Sequence, residues 1–113
     1  MVPFIAMALA GALAAGPLPI DAVTGNAAQL ADTLGHAIGA ASECGFGERA
    51  DDAMARAEAQ VSRAAAEERA DDLAMDDRFH DALQTGREAV LDQTMTCSQA
   101  EQELKRLEGQ TPD

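Results

Sequence analysis

The chain has 113 residues, 20 acidic against 8 basic side chains and a formal net charge of -12, with no Trp or Tyr and three Phe. That length holds one domain, and so acidic a chain lacks the basic footprint that nucleic-acid backbones require. The scarcity of aromatic residues leaves no platform for stacked bases or sugars, and the abundance of Ala over Val, Ile and Thr argues against a β fold.

Residues 1–20 carry no charged side chain. Pro3 to Ala15 is an apolar run, followed by Gly16-Pro17-Leu18-Pro19. The run is shorter than the roughly 20 residues a bilayer requires. It matches the apolar core and helix-breaking cleavage region of a secretory signal peptide. Ala12 and Ala14 place a cleavage site before Ala15, and a second option follows Ala22. The basic residue that opens such signals is missing, so the alternative is an uncleaved N-terminal anchor. The chain therefore divides into a signal peptide or N-terminal hydrophobic segment, 1–22, and a single helical domain, 23–113. The expected location is periplasmic or secreted, with membrane contact only through an uncleaved N-terminus. Seven Arg against one Lys, with heavy use of Ala, suggests a GC-rich bacterial source.

Leu30, Leu34, Ala37, Ala41 and Cys44 recur at alternating steps of four and three, widened by Ile38. This is the buried face of an amphipathic helix. Thr24 or Asn26 is its candidate cap, and Gly45 sits where a left-handed closing residue belongs. The first helix is thus expected over 26–44. After Gly45-Phe46-Gly47, the positions Ala50, Met54, Ala57, Val61 and Ala64 repeat the stepping and predict a second helix over 48–67. The charged stretch Glu67 to Asp72 interrupts it. Asp71 caps a third helix over 72–91, with Ala70 and Met75 as a hydrophobic staple and the stripe Met75, Phe79, Leu83, Gly86 and Val90. One continuous helix from Glu48 to Leu91 is the alternative, because no Gly or Pro lies between Gly47 and Gly86. Thr94 to Ser98 breaks the chain again. Ser98 with Glu101 forms a capping box, and Thr96 with Gln99 a second one in a nearby frame. The stripe Cys97, Ala100, Leu104 and Leu107 predicts a fourth helix over 98–108, stopped by Gly109. Met54, Met75 and Met95 fall on or near the stripes and read as gap fillers.

Cys44 and Cys97 are the only cysteines, and both lie beyond the signal-like segment. An even count in a small exported protein predicts an intrachain disulfide. There is no C-x-x-C motif for redox exchange and no zinc-finger spacing. Closing this loop is worth about 4 kcal/mol by chain-entropy reasoning. It would set the end of the first helix beside the start of the fourth, with the second and third as an antiparallel hairpin. The fold expected is all-α, a small antiparallel array of about four helices with one disulfide, or three helices if the central one is continuous.

Chemistry-bearing residues are few. Asp71, Asp72, Asp76, Asp77, Asp81 and His80 form the densest titratable group. Asp72, Asp76 and His80 follow one another at steps of four and are weak candidates for a divalent metal. Solvation of an outer face, with acids at the positive end of a helix dipole, accounts for the same residues more simply. His36 borders the first stripe and reads as a boundary histidine. Ser42, Ser62 and Ser98 have no nucleophile motif, and no phosphate-binding loop is present. The sequence reads as a non-enzyme without a cofactor.

In size, compartment and a single disulfide across a long loop, the chain resembles the small periplasmic acid-stress chaperones of Gram-negative bacteria. The resemblance rests on Cys44 and Cys97 and implies no further site residues. The leading functional expectation is a small exported interaction protein that meets a partner through Ala-rich helical faces, its oligomeric state open. The alternative is a pH-responsive chaperone, since 20 carboxylates that protonate below about pH 4 would reverse the net charge. A divalent-metal-binding protein is a third, weaker reading.

Overall fold

The computed structural model describes residues 25–109. They form α1 (Ala27–Glu43), α2 (Gly47–Glu68), α3 (Asp72–Leu91) and α4 (Cys97–Glu108), with no strand among the described residues. The segment 1–22 expected to be a signal, and the candidate cap Thr24, lie outside them. The central region is two helices, as the charged interruption predicts.

Short-range chemistry sets each start. The Asn26 side chain accepts the Gln29 N–H at 2.8 Å, while the Gln29 side chain accepts the Asn26 N–H at 2.9 Å. This reciprocal box satisfies two donors that a helix start leaves open. A third, the Ala27 N–H, donates to Glu68 Oε2 at 2.8 Å, which ties the start of α1 to the end of α2. Asp71 caps α3 by accepting from Leu73 and Ala74. At α4 the structure corrects the expected frame. Thr96 with Gln99 forms the box, and Ser98 lies inside the helix rather than capping it. Thr96 closes its box two residues earlier than Ser98 can, so Cys97 becomes the first helical residue.

All four helices stop on a residue in the left-handed region: Gly45 (φ 90), Arg69 (φ 57), Gln93 (φ 66) and Gly109 (φ 87). After α1, the Phe46 N–H returns to Ala41 O and the Gly45 N–H to Ser42 O. After α2, Ala70 returns to Ala65 and Arg69 to Ala66; after α3, Thr94 returns to Ala89 and Gln93 to Val90. These paired bonds are Schellman closures, which absorb the carbonyls left open at a helix end. Arg69 and Gln93 hold the position that glycine usually takes.

Successive helices run antiparallel, which makes α1 and α3 parallel. Their register can be followed along the seam. Asp32 meets Arg78, Gly35 meets Phe79 and Ala82, Gly39 meets Leu83, and His36 and Ala40 meet Gly86. A Cβ on Gly35 would lie 2.6 Å from Ala82 Cβ and 2.7 Å from Phe79 O. One on Gly39 would overlap the Leu83 carbonyl, and one on Gly86 the His36 carbonyl. The two backbones therefore touch, and side chains cannot intervene. The tightest packing in the molecule is this α1–α3 seam, not the α2–α3 hairpin, although α2 and α3 are antiparallel neighbours as expected.

Around the seam, Leu34, Ile38, Phe79 and Leu104 are fully enclosed. Val61, Leu83 and Leu107 join them, with Ala31, Ala37, Ala41, Ala50, Ala53 and Ala57 filling the narrow gaps between helices. Phe46, Met54 and Met75 pack against this core from its edge. The alanines of the apolar stripes are thus spent on closing the core. Among the described residues two large apolar side chains stay outside, Leu73 and Leu91, at opposite ends of α3.

Gly39→Ala and Gly86→Ala should each cost about 3 kcal/mol or more, because neither backbone can yield to a new methyl group. Gly47→Ala, where a Cβ would meet nothing within 4 Å, should be neutral or stabilising. Urea unfolding of the three variants checks this, and equal midpoints would show that the seam is not rigid. In the same assay Leu34→Ala, Phe79→Ala and Leu104→Ala should each lose about 2–5 kcal/mol.

Candidate functional site

Cys44 follows the last residue of α1 and Cys97 opens α4. The two are joined by a disulfide, with their Cα atoms 5.5 Å apart. From this junction α4 runs back along α1, burying Ala100, Leu104 and Leu107. Where the helices lie farther from the staple, a groove of about 490 Å³ opens between them. Asp32, Thr33, His36 and Ala37 line it from α1, and Glu103, Arg106 and Leu107 from α4. Its volume falls within the range of ligand-binding clefts. Ala37 and Leu107 give it an apolar floor, and the charged residues stand at its rims.

A second groove, of about 440 Å³, lies on the other side of α1, lined by Asp32, His36, Arg78, Asp81, Ala82 and Thr85. Asp32 and His36 belong to both. The half-buried His36 therefore stands on the ridge between two recesses, which agrees with its reading as a boundary residue. Its carbonyl is part of the α1–α3 seam, so its position is fixed by the backbone contact at Gly86.

Asp32 is held from α3. The Arg78 guanidinium donates through Nε to Oδ1 and through Nη2 to Oδ2, both at 2.8 Å. The fork of donors holds the Asp32 carboxyl below its ordinary value of about 3.8, against a smaller opposing effect of desolvation. A second clasp joins α2 to α4. Arg49 donates through Nε and Nη2 to the two carboxylate oxygens of Glu108, and Glu101 lies 3.7 Å from it. The Glu108 side chain is only 19% exposed, which makes this the better shielded of the two clasps. The same guanidinium covers the Phe46 ring at 5.4 Å from its centre.

The weak metal candidates separate. Asp76 and His80 come together, with the His80 ring 3.6 Å from the Asp76 carboxylate. Asp72 instead accepts a hydrogen bond from the Ser62 hydroxyl at 3.0 Å. The third member of the cluster is Glu58, from α2: one ligand atom each from Glu58, Asp76 and His80 all lie within 4.8 Å of one another. Glu58 was invisible as a partner in the sequence, because only the register of α2 against α3 brings it there.

No protein-family model, curated protein or solved structure matches the chain. Among the described residues no helix is long and apolar enough to cross a membrane.

Two outcomes follow for the clasps and the staple. Reduction, or Cys44→Ser with Cys97→Ser, should lower the melting temperature strongly, by the equivalent of about 4 kcal/mol. Calorimetry with and without reductant measures it, and an unchanged melting point would mean that packing alone holds α4. The Asp32 carboxylate has a depressed pKa in the fold, so its contribution is present above the unfolded value and lost as pH falls through the folded one. The melting temperature of Asp32→Asn should therefore fall less than that of the parent between about pH 4 and pH 2. Parallel slopes would show that the Arg78 clasp does not form in solution.

Proposed function

We propose that this protein is a small exported helical interaction protein, acting by binding a partner in the α1–α4 groove rather than by catalysis. The observation that supports this most directly is the groove itself. One wall is fixed by the backbone seam to α3, and the other is stapled to it at the head by the disulfide. A groove with walls held in place needs little reordering on binding, which lowers the entropic cost of association. The disulfide also supports an oxidising compartment, which we take to be the periplasm or the exterior of a bacterial cell.

The partner is a basic amphipathic polypeptide segment. A net charge of -12 attracts a cationic chain at long range and speeds its approach. Within the groove, Glu103 offers a carboxylate to a lysine or arginine, while Asp32 on the opposite wall is already paired with Arg78. Ala37 and Leu107 lie beneath for the apolar residue beside it.

The test is a titration of the isotope-labelled protein with a helical lysine/leucine peptide and with its glutamate/leucine counterpart, followed by NMR. Shifts should concentrate at Thr33, His36, Ala37, Glu103 and Leu107 with the basic peptide alone. Thr33→Arg and Glu103→Arg should each weaken binding at least tenfold. Shifts spread evenly over every acidic face, or equal binding of the acidic peptide, would overturn the reading.

A second reading, a chaperone active under acid stress, draws on the two inter-helix clasps. Each depends on carboxylates, so acid that protonates them would remove both clasps, α1 to α3 and α2 to α4, while the glycine seam and the disulfide remain. Light scattering of an aggregating client at about pH 2–3 decides it, since absence of suppression there removes this reading.

A further inference from the structure

We infer that Glu58, Asp76 and His80 form a binding site for a divalent transition-metal ion of the zinc type, bridging α2 and α3. The donors converge from two helices, and the convergence has a structural cause. Ser62 of α2 hydrogen-bonds Asp72 of α3. Because the two helices are antiparallel, one turn back along α2 and one turn forward along α3 must face each other, and those positions are Glu58 and Asp76. His80 lies one further turn along the same face of α3. The site is thus set by helix register, and it separates these three residues from the remaining acids of α3, which have no partner donor on α2 within the cluster.

The donor set selects the ion. One imidazole and two carboxylates suit zinc and its neighbours, whereas calcium takes six to eight oxygen ligands. The His80 Nδ1 lies 2.9 Å from the Asp76 carbonyl oxygen. The same Nδ1 lies 3.6 Å from the Asp76 carboxylate, and where it donates to the carbonyl, Nε2 is the nitrogen left with a lone pair for an ion. In a tetrahedral zinc site, ligand atoms stand about 3.3 Å apart. Glu58, Asp76 and His80 each bring a ligand atom within 4.8 Å of the other two, on exposed side chains that are able to turn toward a shared ion. The fourth position of a tetrahedron is left to water. Beside the cluster, Glu58 and Asp76 also line a small recess with Val61, Ser62, Asp72 and Phe79, so a bound ion would sit at the mouth of a cleft between the helices. An ion there also offsets the mutual repulsion of the two carboxylates and clamps α3 to α2, the helix it packs against less closely than α1.

This site is distinct from the α1–α4 groove and stands or falls independently of it. The experiment is calorimetric titration of the whole domain with zinc chloride, with calcium chloride as the comparison ion. NMR of the His80 ring protons and thermal melts with and without zinc complete it. The expected result is one zinc per chain, a shift of the His80 ring signals and a rise in melting temperature with zinc. His80→Ala and Glu58→Gln should each weaken zinc binding at least tenfold and abolish the rise. Asp77→Asn, an exposed acid of α3 outside the cluster, should leave binding unchanged. Far-UV spectra confirm that these surface variants remain folded, and His80→Gln provides a second variant if His80→Ala does not. Zinc binding unaltered in His80→Ala or His80→Gln, calcium binding as tight as zinc, or no binding at all would each overturn the inference.

Discussion

The structure depends on the contact between the backbones of α1 and α3. Gly35, Gly39 and Gly86 let the two helices approach until carbonyl groups of one meet Cα atoms of the other. At that distance the register has no freedom to slip, because a shift of one residue would drive an alanine or larger side chain into the opposite helix. The pair lies parallel, and α2 runs back antiparallel between them in the chain.

With α1 fixed against α3, the disulfide acquires a definite role. It does not bring the two halves of the molecule together, since the glycine seam already does so. It fastens α4, a helix of 12 residues that is too short to be stable by itself, to the end of the most firmly held helix. Arg49 supplies the second attachment through Glu101 and Glu108. The groove between α1 and α4 is what remains where neither attachment draws the helices together. Its walls are rigid for two unrelated reasons, backbone packing on one side and a covalent bond on the other.

Much of the architecture was legible in the sequence because it is written in local patterns. The stripes of Leu34, Phe79 and Leu104, the cap at Asp71 and the glycine stops at 45 and 109 depend on residues within one or two turns. The disulfide was legible from the even cysteine count in a chain read as exported. The division between α2 and α3 was harder, because Arg69 performs the left-handed closure with a side chain that carries no such signal. Gln93 conceals the end of α3 in the same way. The glycine seam was missed for another reason. Gly35 and Gly39 flank the large apolar residues that define the stripe of α1, and nothing nearby says that a second backbone will lie against them. Their spacing of four was the available sign. Of the sites, Asp76 and His80 were visible as a pair, whereas Glu58 and the groove exist only through contacts between helices.

A core closed by glycine and alanine has a thermodynamic consequence of its own. Heat capacity rises on unfolding chiefly because apolar surface meets water, while exposed peptide groups lower it. At the α1–α3 seam, unfolding uncovers much backbone and little hydrocarbon. The disulfide also keeps the unfolded chain compact, so part of the apolar surface stays covered there. Both effects reduce the heat-capacity increment per residue. The curve of stability against temperature is correspondingly flat, with a broad maximum and a slow decline toward heat and cold alike. For a small domain, breadth of this kind keeps the fold populated over a wide span of temperatures.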